Sequence, residues 1–256
     1  MLPGARVLHF DRDVPQEPDE HPEFWTIWRE ICREAHPERI DRVFGSETYV
    51  TRLVAELDAD PWLVDPQRLA FGVSGTRVRE DPFAHWEMVP GPVRSHYQKR
   101  IVLAGAESTG KSTLAALLAR HFDTRYVPEY GRTYDAFRTT GWTAGSFRRI
   151  AQGHRAMRRA IAAQAGPLLF EDTDELATRV WEKTLTGAPG MIELPDGIAD
   201  LYLPLGTDLA WTNDGTRVME SPAIRESFQQ DMLGELKRAG ARFVLIEGIG
   251  NDRTDA

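Results

Sequence analysis

The chain has 256 residues, 41% of them hydrophobic and 27% charged, with a formal net charge of −8. That balance supports a real core, and its acidic sign argues against nucleic acid as a partner, because tracking along phosphates needs a basic face. A single cysteine, Cys32, excludes an internal disulfide and fits a reducing compartment. No apolar run approaches the roughly 20 residues that span a bilayer. Asp11 interrupts the short apolar patch of the N-terminal MLPGARVLHFDRD, which makes a poor signal peptide. The expectation is a cytoplasmic chain without a membrane partner, long enough for one large domain or two small ones.

In chain order, ARVLHF (5–10) reads as a short strand, and DVPQEPDEHPEF as a Pro- and acid-rich loop. FWTIWREICREA has Phe24, Ile27, Trp28 and Ile31 at helical spacing. DRVFGSE reads as a buried strand, ETYVTRLVAEL as an amphipathic helix, and DPWLVDPQR as a strand or extended piece. At FGVSGTRVRED, a turn of Ser74, Gly75 and Thr76 opens a helix, with Arg77 and Arg79 close behind. Pro82, Pro90 and Pro92 then punctuate the run into Tyr97. A domain junction is expected there, giving domains 1–96 and 97–256.

The second half alternates regularly. KRIVLAG (99–105), RYVPE, GPLLFEDTD, ADLYLPL and ARFVLIEG read as strands. GKSTLAALLARHF, TAGSFRRIAQGHRAMRRAIAAQ, DELATRVWEKTL and SPAIRESFQQDMLGELKRAG read as helices. Such alternation predicts an α/β fold with a parallel sheet. Arginines 148, 149, 155, 158 and 159 lie mostly opposite the apolar face of one helix and read as a solvated face.

GAESTGKS (105–112) matches G-x-x-x-x-G-K-[ST] in full, between a predicted strand and a predicted helix. Gly105 and Gly110 let backbone N–H groups curl around phosphate oxygens, Lys111 reaches the β- and γ-phosphates, and the Ser112 hydroxyl ligates Mg²⁺. Glu107, Ser108, Thr109 and Thr113 complete the predicted ATP-binding set. The metal needs an acidic partner, and Glu171, Asp172 and Asp174 close a hydrophobic strand where one belongs. Asp172 leads; Thr173 or Asp174 would equally suit a helix N-cap. Glu129, just past the second strand, is placed to orient or deprotonate an acceptor hydroxyl, or merely to start a helix as a surface acid. Arg132 follows it. Trp211 stands in a Gly/Asp-rich loop where an indole could stack on a planar base or cap the core. Asp214 and Arg217 share that loop, and Arg217 and Arg225 are both available to stabilise charge in phosphoryl transfer.

These segments together resemble the NadR family. VSGTRVRED with its Pro-broken linker, KRIVLAGAESTGKSTLAALLA, YVPEYGR, FEDTD, the Trp-containing loop ending DGTR, and FVLIEG carry the likeness over nearly the whole chain. NadR-type proteins join a nicotinamide-nucleotide adenylyltransferase domain to a ribosylnicotinamide kinase domain. The resemblance therefore implies a P-loop kinase domain behind a Rossmann-like nucleotidyltransferase domain, with ATP and Mg²⁺ as cofactors. The implied reaction moves the γ-phosphate of ATP to the 5′-hydroxyl of nicotinamide riboside, giving nicotinamide mononucleotide. By position, Gly105, Gly110, Lys111 and Ser112 would hold Mg·ATP. Glu129, Asp172 and Asp174 would line the metal and riboside site. Trp211 would face the nicotinamide and Arg217 would serve the lid.

The first half departs from that pattern. Such adenylyltransferases open with a G-x-F-x-P-x-H-x-G-H turn, whereas the histidines here, at 9, 21, 36, 85, 96, 121 and 154, include no pair three apart. Ser74, Gly75, Thr76, Arg77 and Arg79 would be one surviving wall of an incomplete nucleotidyltransferase site. Adenylyl transfer is expected to be lost. A sheet lacking a central strand would leave apolar surface and unpaired backbone groups, so self-association into a homo-oligomer or local disorder is expected. A kinase of another nucleoside, or a non-catalytic module sensing ATP and NAD-type ligands, are the rival functions.

Overall fold

The computed structural model describes residues 6, 8–70, 72–188, 190–213, 215 and 217–250. The chain divides into two compact units, Met1–Arg79 and Glu80–Ala256. No described helix is long and apolar enough to cross a membrane.

The first unit is a small α/β assembly. Helix α1 (Phe24–Ala35) precedes β1 (Arg42–Gly45), α2 (Val50–Leu57) and β2 (Asp60–Leu63). The two strands pair in parallel, from Arg42 opposite Asp60 to Gly45 opposite Leu63. Val50, Val54 and Leu57 recur on one face of α2 and are buried, as is Phe24 of α1. The sheet stops at two strands, and Phe44 and Trp62 stay 63% and 50% exposed. The strand expected over 5–10 is not formed: residues 6 and 8–10 carry no strand pairing, and 5 and 7 lie outside the described residues. Ser74 accepts from the Arg77 N–H at 3.2 Å and opens the short helix α3 (Gly75–Glu80), where Arg79 donates to the Thr76 hydroxyl.

The division falls at Arg79/Glu80, earlier than the 96/97 junction read from the prolines. Residues of the Pro-punctuated stretch are held by the second unit. Trp86 is buried in a short 3-10 turn (Trp86–Met88), and its Nε1 donates to Ala165 O at 3.2 Å. Helix α4 (Gly91–Tyr97) follows, with a proline in its first turn where no N–H is missed. Gln98 Nε2 then donates to Ala162 O and Gly166 O.

The second unit contains β3 (Lys99–Ala104), α5 (Lys111–His121), β4 (Tyr126–Val127), α6 (Tyr130–Phe137) and α7 (Ala144–Ala162). These are followed by β5 (Leu168–Asp172), α8 (Glu175–Thr186), β6 (Leu201–Pro204) and α9 (Pro222–Arg238). Its strands are all parallel, in the order β4-β5-β3-β6. Both faces are covered, as a parallel sheet requires. Val102 and Ala104 turn toward a core with Leu176, Phe228 and Met232 of α8 and α9. Leu103 turns the other way, against Leu114 and Ala115 of α5. The segment expected as a final strand, ARFVLIEG, runs parallel to β6 in one register, with Tyr202 opposite Phe243 and Leu205 opposite Ile246, and the pairing is interrupted only where Pro204 has no N–H to donate. It lies beside β6, with Val244 N donating to Tyr202 O and Ile246 N to Pro204 O, and Val244 remains exposed.

An ionic cluster ties α7 to the sheet. Glu171 of β5 is fully buried and receives Arg100 Nε at 2.7 Å, Arg158 Nη1 at 3.1 Å and a bond with His154 Nε2 at 2.9 Å. Arg158 also makes two 2.8 Å bonds to Glu175 and one of 2.7 Å to Asp196. The solvated face read for the α7 arginines is therefore corrected for Arg158, which is 4% exposed. Periodicity could not show that acids on β5 and α8 would meet it.

Burial alone would push the Glu171 carboxyl up, but the His154 bond and the Arg100 and Arg158 charges outweigh it and hold it at about 2. A carboxyl depressed on folding stabilises the folded state above its unfolded value and loses that contribution as pH falls. Between about pH 4.5 and pH 2, stability measured by urea denaturation should therefore decline, and Glu171→Gln should lose that part of the slope. Arg158→Met, which leaves Glu171 and Glu175 buried with fewer partners, should cost about 3–5 kcal/mol.

Candidate active site

The loop between β3 and α5 is shaped by its backbone angles. Gly105 has φ +135°, and a Cβ there would lie 2.8 Å from Leu205 O, so both conformation and space demand glycine. Gly110 at φ +85° opens α5. Lys111 is buried and folds back over the loop, its Nζ donating to Gly105 O at 3.0 Å and Ala106 O at 2.8 Å. The Thr109 hydroxyl donates to Ala106 O.

Sheet register sets the acid opposite this loop. Leu103 pairs with Asp172, so the end of β5 arrives beside the start of α5. There the Ser112 hydroxyl donates to Asp172 Oδ2 at 2.5 Å. Asp172 Oδ1 is buried without a partner. Two hard oxygen donors with an unmet lone pair fit Mg²⁺, which binds through one or two protein oxygens and takes the rest from phosphates and water. Among the described residues no cluster of three or more His, Cys, Asp or Glu side chains could hold a metal.

The three acids of FEDTD have separate surroundings. Asp172 alone touches the loop. Glu171 belongs to the ionic cluster. Asp174 caps α8, accepting from Ala177 N at 2.9 Å and from the Tyr202 hydroxyl at 2.6 Å, and burial pushes its carboxyl up. It is not among the residues lining the cavity described next, and of the two readings open from the sequence the structure shows the helix cap.

A cavity of about 270 Å³ opens beside the loop. Lys111, Glu129, Arg132, Asp135 and Arg217 give it a charged end, and Tyr130, Trp142, Phe147 and Trp181 give it aromatic walls. Glu129 lies at the N-terminus of α6 without capping it and pairs with Arg132 at 3.1 Å. Burial, with Asp172 nearby, pushes the Glu129 carboxyl up against the opposing pull of Lys111 and Arg132.

Trp142 and Phe147 were not recognised as site residues, though a signal existed. Thr143 and Ser146 form a capping box at the start of α7, and a hydrophobic residue just before such a cap often packs on the fourth helical residue. Those positions are Trp142 and Phe147, stacked at 5.3 Å with Arg138 over the indole. Tyr130 fits because α7 carries glycine at 153: a Cβ there would lie 2.2 Å from the Tyr130 ring.

Trp211 is placed differently from the expectation. It does not line the cavity, and its Nε1 lies 3.5 Å from Glu107 Oε2. The Glu107 carboxylate accepts from Val218 N and Met219 N at 2.9 and 2.7 Å. Ser108 Oγ accepts from Thr212 N and from Arg217 Nη1, which brings Arg217 to the loop. Arg225 is buried and donates to Glu107 O and Leu209 O, a brace rather than a loose loop cation. Asp214 lies outside the described residues. Ser74, Gly75, Thr76, Arg77 and Arg79 belong to the first unit.

The sheet order, the glycine-curled loop and the acid at the end of the neighbouring strand define a P-loop nucleotide-binding domain. A family model described as an AAA domain matches residues 100–253, and the chain belongs to that family. It is homologous to NadR: it is 30% identical over 252 residues to the trifunctional NAD biosynthesis/regulator protein NadR of Escherichia coli (strain K12), across 94% of this chain and 61% of that one. The chain thus spans about three fifths of that curated relative's length. Two solved structures share the fold. One, of a NadR protein in complex with NR, has a TM-score of 0.67 at 23% identity over 90% of this chain and 69% of that one. The other, of a NadR protein with NAD and AMP-PNP, has a TM-score of 0.66 at 20% identity over 96% and 74%.

Gly153→Ala should force the Tyr130 ring to move and lower stability to urea by about 1–3 kcal/mol. With Tyr130→Ala already present, the same change should instead stabilise the protein by about 0.5–1 kcal/mol through helix propensity.

Proposed function

We propose that the second unit is a Mg²⁺- and ATP-dependent kinase that phosphorylates the 5′-hydroxyl of nicotinamide riboside to give nicotinamide mononucleotide. The observation that carries this reading is one cavity with Lys111 and Glu129 at its charged end and Tyr130, Trp142, Phe147 and Trp181 around the rest. A flat ring suits the aromatic walls, and a ribose hydroxyl suits the charged end. The homologue's role in NAD biosynthesis and the NR in a related structure support the same riboside.

Each residue then has a stated task. The backbone of residues 105–113 and the helix start cradle phosphates, because N–H groups and the positive helix end face the anion. Lys111 exchanges its two carbonyl contacts for phosphate oxygens. Ser112 and Asp172 hold Mg²⁺, which when bound neutralises phosphate charge. Glu129 accepts the proton of the acceptor hydroxyl; Asp172, as metal holder, is the weaker choice for that base. Arg132 pairs with Glu129 and keeps it oriented. Arg217, already hydrogen-bonded to Ser108, offsets charge that builds during transfer. Asp174 and Trp211 act indirectly, the first by capping α8 and the second by its contact with Glu107.

For the first unit we propose a residual nucleotidyltransferase wall without activity. Its Ser74–Arg79 turn is not accompanied in this chain by histidines spaced three apart. Its exposed Phe44 and Trp62 favour self-association.

The experiment offers nicotinamide riboside, uridine, cytidine and deoxynucleosides with Mg·ATP, measures ADP and separates products by mass. The expected product is nicotinamide mononucleotide without NAD. Phosphorylation of another nucleoside in preference would reassign the substrate, and tight binding without ADP would make the unit a sensor. Lys111→Ala should lower kcat by about 10²–10³-fold with the fold intact by circular dichroism. In wild type, kcat/KM should fall on acidification through a value above the ordinary glutamate range, and Glu129→Gln should abolish that limb.

A further inference from the structure

Thr173 carries two costs at once. Its φ is +75°, a left-handed conformation that a β-branched side chain rarely adopts. Its side chain is buried, at 7% exposure, and its hydroxyl oxygen has no hydrogen-bond partner. Strain of this kind and an unmet buried hydroxyl each lower stability, and both persist where surrounding structure enforces them for use. The backbone is pinned: Thr173 N donates to Leu103 O at 3.0 Å, between Asp172 and the helix cap Asp174. Thr173 is one of the residues that line the cavity containing Lys111 and Glu129. A second buried polar atom of the same cavity, Trp181 Nε1, is likewise without a partner. Two lining residues that each carry an unmet polar atom suit a ligand with polar groups of its own better than an apolar filler.

We propose that Thr173 is a substrate-binding residue, its hydroxyl exchanging a hydrogen bond with a ribose hydroxyl of the bound nucleoside. The proposal rests on the nucleoside reading of the cavity and assigns a residue within it. The Thr173 N–H bond to Leu103 O holds this backbone, and with it the side chain, among the residues that line the cavity. Serine can supply the same bond. Valine keeps the branched shape and the backbone demand but removes the hydroxyl.

The test measures nicotinamide riboside affinity by titration calorimetry in the presence of Mg·AMP-PNP, for wild type, Thr173→Val and Thr173→Ser, with melting curves as a fold control. The valine variant should bind the riboside about three- to tenfold more weakly, with AMP-PNP affinity and Mg²⁺ requirement unchanged. The serine variant should stay within about twofold of wild type. Equal affinity of wild type and Thr173→Val would overturn the proposal. So would a Thr173→Val defect confined to the Mg²⁺ requirement, which would make the hydroxyl a partner of metal-bound water. Riboside binding without turnover in wild type would remove the kinase reading while leaving the threonine contact measurable. Absence of riboside binding to wild type would remove both.

Discussion

The pairing of Leu103 with Asp172 is the constraint from which the site follows. A slip of one residue would turn Asp172 to the opposite face of the sheet and bring Glu171 or Thr173 to its place. In the observed register, the acid at the end of β5 meets the hydroxyl at the start of α5, and Ser112 donates to it. The same register sends Glu171 to the other face, where two arginines and a histidine neutralise it. Adjacent carboxylates on one strand thus acquire opposite duties: one holds the sheet to α7, and the other stays available for a metal.

This arrangement is costly in isolation. Burying Glu171, Arg158 and Glu175 requires desolvating each, and their mutual bonds only partly offset that penalty. What the cluster supplies is position. It fixes α7 against β5, and α7 carries Phe147 and Ile150 along the cavity and Gly153 beneath Tyr130. The cavity's aromatic walls and its charged end are therefore set by one sheet and the helices bound to it. Across the loop, Glu107 plays the corresponding part, since its carboxylate gathers Val218 N and Met219 N and keeps Arg217 near Ser108.

The elements that were legible in the sequence are those whose signal is local. Apolar strands next to glycine, the full P-loop motif and the three- and four-residue spacing of α7 and α8 each follow from nearby residues. Helix α4 was hidden by the prolines around it, which read as a linker; Pro90 flanks the helix and Pro92 sits in its first turn, where proline is tolerated. The last segment, ARFVLIEG, pairs with β6 as its composition suggests, and its ladder breaks only at Pro204, which has no N–H. In the site, Lys111, Ser112, Asp172, Glu129 and Arg217 do converge near the loop. Trp211 drew the reading because it stands in a Gly/Asp-rich loop, whereas Trp142, just before α7, carries no such mark. Only the fold shows that Trp142 lines the cavity whereas Trp211 turns to Glu107. The N-cap alternative for Asp174 was legible because Ala177 is three residues away, whereas its bond from Tyr202 and the burial of Arg158 against Glu171 depend on partners distant along the chain.

The central claim is that phosphate leaves ATP at Lys111 for a hydroxyl held in the aromatic cavity. A single-turnover experiment with excess enzyme, γ-³²P-labelled ATP, Mg²⁺ and nicotinamide riboside follows the label directly. The account predicts that label appears in nicotinamide mononucleotide at the rate at which ADP forms. Label that remains in ATP, or passes only to inorganic phosphate while the riboside is recovered unchanged, would contradict it.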